Sequence, residues 1–249
     1  MSSASVERVK YTIEIAVTDF ITAQSAVKGG ADRIELCTGL SEGGLTPSFG
    51  LIQQCREKLH TTLFPIIRSR SGDFLYTEDE YELMLQDIRI CKQLQCDGVV
   101  IGFLTRDGQI DAARTARAVQ EAYPMQVTFH RAFDRCRDPF EALDVIVQTG
   151  CARILTSGQQ VKAVEALDVI QQLVAAAGNR ISIMPGSGVS AFNIEDIKNK
   201  TGAREFHASL RTTAKSEMQY VNPAFIKEND FVNPAVHEEA VRSLRMALG

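Results

Sequence analysis

The sequence predicts an α/β protein: one (β/α)8 TIM barrel, a single domain with a C-terminal extension. Three observations carry that expectation. Between about residues 11 and 211, short apolar runs alternate with longer amphipathic stretches, the order of a chain of βαβ units. The runs are too continuously apolar for a sheet with one wet face, so they read as parallel strands covered on both sides. The length of 249 residues also suits one such barrel, which takes roughly 250. A doubly wound open sheet is the competing architecture, but it would want a Gly-x-Gly-x-x-Gly turn after its first strand. Thr18-Asp19-Phe20 is nothing like one.

The elements follow in order. Tyr11 to Val17 is a first strand, and Asp19 caps a helix to about Lys28, stopped by Gly29-Gly30. Arg33 to Cys37 is strand two, followed by a Gly-rich loop from Thr38 to Pro47 and a helix from about Ser48 to Lys58. Strand three runs from Leu63 to Arg68, and Thr77, with Glu80 in the capping-box position, starts a helix to about Leu94. Gly98 to Gly102 is strand four, and Asp111 opens its helix. Strand five lies in Met125-Gln126-Val127-Thr128-Phe129-His130-Arg131-Ala132-Phe133-Asp134, with a helix from Pro139 to Gln148. Arg153 to Thr156, Ile181 to Met184 and Arg204 to Ala208 are strands six to eight, with helices from Val161 to Ala176 and from Ala191 to Lys198. The extension, 212–249, is a polar segment with two Asn-Pro pairs to about Asn233, then a helix from about Pro234 to Leu248.

Composition narrows the partners. A formal charge of -4 with 45% hydrophobic residues gives no general attraction to nucleic acid or to an anionic membrane. No apolar run nears the ~20 residues of a membrane span, and Met1 to Lys10 lacks the apolar centre of a signal peptide. The six cysteines include no Cys-x-x-Cys pair, which argues against a disulfide framework or a preformed zinc site. A cytoplasmic protein is expected, with a small-molecule ligand as partner and a homo-oligomer as an open alternative.

Strand alternation assembles the candidate chemistry. Ile13 and Ile15 face the helices, leaving Glu14 inside; Ile34 and Leu36 leave Arg33, Glu35 and Cys37 inside. Arg68 shares its face with Ile66 and Phe64, His130 with Thr128, and His207 with Glu205 and Ser209. Arg33 and Glu205 sit near strand starts, where buried ion pairs serve stability. Strand C-terminal ends are where such barrels build sites. Glu14, Glu35, His130, Asp134 and His207 are therefore the candidate acid-base groups, with Glu14 or His130 as base and His207 or the other of that pair as acid. Arg68-Ser69-Arg70-Ser71-Gly72-Asp73 offers two guanidiniums around a turn for an anion. Arg131, Gly186, Gly188 and Ser209 complete the ligand-binding set, since the loops after strands seven and eight commonly hold phosphate.

These residues also carry a resemblance. Gly30 to Cys37, Glu42 to Ser48, Ile67-Arg68 with Arg70 and Gly72-Asp73-Phe74, Thr128 to Asp134, Leu155 to Gly158 and Glu205-Phe206-His207 resemble the CutC copper homeostasis family. The resemblance implies a TIM barrel, a cytoplasmic setting and a link to copper tolerance and copper binding. Many members carry a cysteine where this chain has Ala16, and Arg-Pro-Arg where it has Arg68-Ser69-Arg70. Cys37 is then the one family-like thiol, expected to bind Cu(I) with His130, His207 or a thiol of another chain. The second expectation is a lyase or isomerase acting by acid-base chemistry on a small phosphorylated or carboxylated metabolite. A barrel kept only as a scaffold is the third.

Overall fold

The structure, a computed structural model, describes residues 10–220, 222–225 and 231–249. Strand β1 (Thr12–Val17) pairs in parallel with β2 (Arg33–Leu36) on one side and β8 (Glu205–Ala208) on the other, and β2 pairs with β3 (Thr62–Pro65). A second parallel sheet runs β4 (Gly98–Ile101), β5 (Gln126–Phe129), β6 (Arg153–Thr156), β7 (Ser182–Pro185). The two halves meet where Ile66, just past β3, bridges Val100, and where β7 lies beside β8. The barrel is thereby closed. Strand three is shorter than the sequence suggests, because its ladder ends at Pro65 and continues only as that single bridge.

Helices α1 (Phe20–Lys28), α2 (Phe49–Lys58), α3 (Glu78–Gln93), α4 (Ala112–Ala122), α5 (Pro139–Thr149), α6 (Leu167–Ala177) and α7 (Ile194–Thr201) follow strands β1 to β7. Their starts obey local chemistry. Asp19, Ser48, Thr77, Asp111 and Asp138 each accept from a backbone N–H of the first turn, and Thr77 with Glu80 forms the expected capping box. Ile13, Ile15, Ile34 and Leu36 are fully buried in the main core cluster, while Cys37, Phe64, Ile66 and Val100 form a small apolar cluster of their own.

The structure corrects three boundaries. Helix α6 begins at Leu167 rather than Val161, because a short 3-10 turn at Ala163–Glu165 intervenes, with the Glu165 side chain accepting from Lys162 N–H. Helix α7 runs three residues later than expected. The polar segment contains an antiparallel ribbon, β9 (Arg211–Lys215) with β10 (Val232–Val236), and the last helix, α8, spans Glu238–Leu248. Pro234 thus sits in a strand, which an edge tolerates although a central strand would not. Expectations for residues 1–9, 221 and 226–230 lie outside the described residues. Among the described residues, no helix is long and apolar enough to cross a membrane.

Candidate functional site

Register stacks the interior in levels. Glu14 lies opposite Arg33 on β2 and opposite His207 on β8, while Glu35 is paired with Ala16, two positions nearer the C-terminal end of β1. At the lowest level Arg33 and Arg153 share the Glu205 carboxylate, at 2.6 and 3.0 Å, and Arg153 also donates to Gln126 Oε1 at 2.7 Å. Arg33 further binds Glu14. These ion pairs brace the N-terminal end of the barrel.

Above them stand Glu14, Glu35 and His207, each offering a donor atom within 4.8 Å of the others. Glu14 is completely buried and both of its oxygens are used: Oε2 accepts from Arg33, and Oε1 lies 2.7 Å from His207 Nδ1. Burial alone would raise its carboxyl, but Arg33 and His207 overcome that and hold it down to about 2. A carboxyl held this low, with a charged or ring partner on each oxygen, is a weak base and suits the general-base role expected of Glu14 poorly. Glu35 differs. It is buried, its Oε2 has no partner, and burial, reinforced by the Glu14 charge, lifts its carboxyl to about 7 against the pull of His207. Burial would depress the His207 imidazole, yet the Glu35 and Glu14 carboxylates raise it above its ordinary value.

His130 fits between β4 and β5 because Gly102 lacks a side chain: a Cβ there would stand 2.3 Å from His130 Cε1. Its Nδ1 accepts the Ala132 N–H at 3.1 Å, and Nε2 is buried without a partner. Burial and the Arg68 charge push the imidazole down to about 3. His130 is thus a neutral ring with Nδ1 as acceptor and the proton on Nε2. In that state neither ring nitrogen has a free lone pair for the base role, one of the two roles expected of it.

Asp134, also expected as an acid-base group, is fully engaged by neighbouring donors. Its carboxylate accepts from Thr156 Oγ1 at 2.5 Å, Ser157 N and Oγ at 3.0 and 2.9 Å, Gln159 N at 3.2 Å and Arg131 Nε at 2.7 Å. It ties the loop after β5 to the loop after β6 and aims Arg131; acid-base work would break that knot.

Arg68 is 3% exposed and donates to three carbonyls, Glu42 O at 2.6 Å, Gly44 O at 3.1 Å and Gly72 O at 2.8 Å. None of its partners is a carboxylate. Arg70 and Asp73 turn outward instead: Arg70 binds Glu80 at 2.6 Å and Asp73 at 3.1 Å, at the start of α3. Their expected place on the ligand is corrected, since neither lines the cavity. Gly186 is buried and likewise absent from the lining, and a Cβ there would run into the Leu155 side chain.

The cavity opens at the C-terminal end of the strands and holds about 450 Å³. Glu35, Arg68, His130, Arg131, Gly188, His207 and Ser209 all line it. Arg135 and Arg211 line it as well. Sequence reasoning missed both, since each falls past the end of a strand; their only signal was a basic residue just after a strand-end motif.

Cys37 lies just below. Its thiol is buried, 3.5 Å from Val17 O, and burial with the Glu35 charge pushes it up, away from thiolate. Cu(I) prefers two or more soft sulfur ligands, and one protonated thiol among Phe64, Ile66 and Val100 does not fit that need. The Glu14, Glu35 and His207 donors are oxygen and nitrogen, with Arg33 already on Glu14. They suit a shared proton better than a soft cation.

The family model described as the CutC family matches residues 11–212. A CutC family protein of Parabacteroides distasonis is 50% identical over 216 residues, 86% of this chain and 88% of its own length. One from Vibrio vulnificus is 42% identical over 96% of this chain and 98% of the relative. The crystal structure of the CutC protein from Streptococcus agalactiae superposes with a TM-score of 0.77 at 32% identity, covering 80% of this chain and 98% of that one.

Proposed function

The chain belongs to the CutC family, and on that premise we propose that its cavity binds a small anionic molecule and moves a proton on it, Glu35 acting as base and His207 as acid. The unpartnered Glu35 oxygen beside His207 carries this reading. A buried carboxyl lifted to about 7 is poised to accept and return a proton at neutral pH. Glu14 holds His207 by Nδ1 and leaves the far ring nitrogen for the cavity. The anion is argued from Arg68. A buried guanidinium with only neutral acceptors is an uncompensated charge, which costs several kcal/mol unless a ligand supplies the counterion. Six free, buried cysteines agree with a reducing, cytoplasmic setting.

The Streptococcus agalactiae relative is named for copper homeostasis. In this chain the mouth of the barrel offers nitrogen and oxygen donors rather than sulfur, so a role in copper handling would act through the small molecule rather than a thiolate centre at Cys37. A thermal-stabilisation screen of phosphorylated and carboxylated metabolites tests the reading. Ligands at about 100-fold over Kd should add about 2.7 kcal/mol to wild type and little to Arg68→Met. With a hit in hand, Glu35→Gln should keep binding and lose about 10²- to 10⁴-fold in turnover. Stabilisation undiminished in Arg68→Met, or full turnover in Glu35→Gln, overturns it.

A further inference from the structure

Acid-base catalysis at Glu35 and anion binding at Arg68 leave a third buried polar group of the cavity, His130, without a task. Its tautomer is set by the backbone: the Ala132 N–H points at Nδ1, 3.1 Å away, so the ring's proton is on Nε2. That N–H is buried and finds no acceptor. An unpaired buried donor is destabilising, and here it is built in by Gly102, which opens the space the ring occupies. Phe74 packs on the ring with centroids 5.0 Å apart, and the Arg68 guanidinium lies 5.0 Å from the same Phe74 ring. His130, Phe74 and Arg68 together form one wall of the cavity, and Glu35 and His207 line it too.

We infer that His130 is an electrophilic donor whose Nε2–H, with the buried charge of Arg68 beside it, holds the carbonyl oxygen of a substrate that Glu35 deprotonates at the neighbouring carbon. This rests on the acid-base reading of Glu35 and names its substrate class: a small anionic α-hydroxycarbonyl compound with an enolisable C–H. Glu35 Oε2 takes the proton. The C–H electron pair becomes the new C=C bond, and the carbonyl π pair moves onto oxygen, where the His130 N–H and the Arg68 charge meet the negative charge as it forms. With a hydroxyl on the deprotonated carbon, His207 protonates the former carbonyl oxygen and takes the hydroxyl's proton, and Glu35 returns its proton to the former carbonyl carbon, which completes a 1,2-isomerisation with no oxidant or reductant. A neutral imidazole suits this task because it donates without surrendering its proton; a neutral donor paired with a carboxylate base recurs in enolising enzymes.

Two measurements test it. The first is ¹⁵N NMR of histidine-labelled wild type, where His130 should show a protonated Nε2 and a bare Nδ1 at neutral pH, and the Nε2–H signal should move when glycolohydroxamate, a planar enediolate mimic, is added. A Nδ1–H tautomer or an imidazolium at neutral pH overturns the proposal even if His130 variants fail to fold. The second compares affinity for glycolohydroxamate with that for glycolate. Wild type should prefer the mimic by about tenfold or more, and His130→Gln should lose that preference. Equal affinities in wild type, or a preference that survives in His130→Gln, overturn it. Turnover lost in Glu35→Gln alongside a preference indifferent to His130 would leave the acid-base pair standing and remove only the donor.

Discussion

Replacing Glu35 with Gln should stabilise the unliganded protein, and by much more at pH 9 than at pH 5. The Glu35 carboxyl is lifted from 4.5 to about 7 in the folded chain, chiefly by burial. Below pH 4.5 it is protonated in both states and burial costs no ionisation energy. As pH rises towards 7 the unfolded chain releases the proton while the folded one retains it, so stability falls with pH; above 7 the loss is complete. At about 1.4 kcal/mol per pH unit, the interval from 4.5 to about 7 corresponds to about 3 kcal/mol. Gln keeps the shape and does not titrate. In a chain of this length about 3 kcal/mol corresponds to roughly 6–12 °C in Tm. Urea denaturation of both proteins at pH 5 and pH 9 measures the difference directly. A Gln variant whose advantage is the same at both pH values, or that is weaker than wild type at pH 9, would refute the assignment of Glu35 as the buried, proton-holding group.

Further outcomes follow from the same geometry. Cys37→Ser should leave Cu(I) affinity, measured by chelator competition in reducing buffer, within about twofold of wild type, because the protonated thiol contributes no ligand; a large loss would restore the thiolate role. Glu14→Gln should cost roughly 3–5 kcal/mol at neutral pH by stranding part of the Arg33 charge, and should lower the pH at which His207 titrates in NMR; an unmoved His207 would mean Glu14 does not hold it. His130 is held down to about 3 from 6.5, so its neutrality favours the fold above pH 6.5 and that contribution is lost as pH falls towards 3. Stability of His130→Gln should therefore decline less steeply than wild type between pH 6.5 and 4, and parallel curves would contradict the buried neutral ring.

Alternation made the inward face of each strand legible, which is why Glu14, Glu35, Arg68, His130 and His207 could be placed before any coordinates. What alternation cannot supply is reach. Whether a carboxylate is free depends on which neighbour strands lie level with it, and the register that sets Glu14 between Arg33 and His207 is a property of the closed barrel. The same limit explains Asp134, whose five donors come largely from the loop after β6. Arg70 stands two residues past Arg68, yet the turn between them reverses its direction and the Glu80 carboxylate captures it. The ribbon of β9 and β10 was hidden by its Asn-Pro pairs, which signal a break unless the strand is an edge.

Phe64, with the Arg33 and Arg153 guanidiniums each 5.1 Å from its ring centroid and Glu205 joining them, closes the far end of the barrel like a stopper. On the proposed acid-base reading, a product formed at Glu35 would leave by the opening at the C-terminal ends of the strands, the substrate's own way in. Product should accordingly compete with substrate for entry.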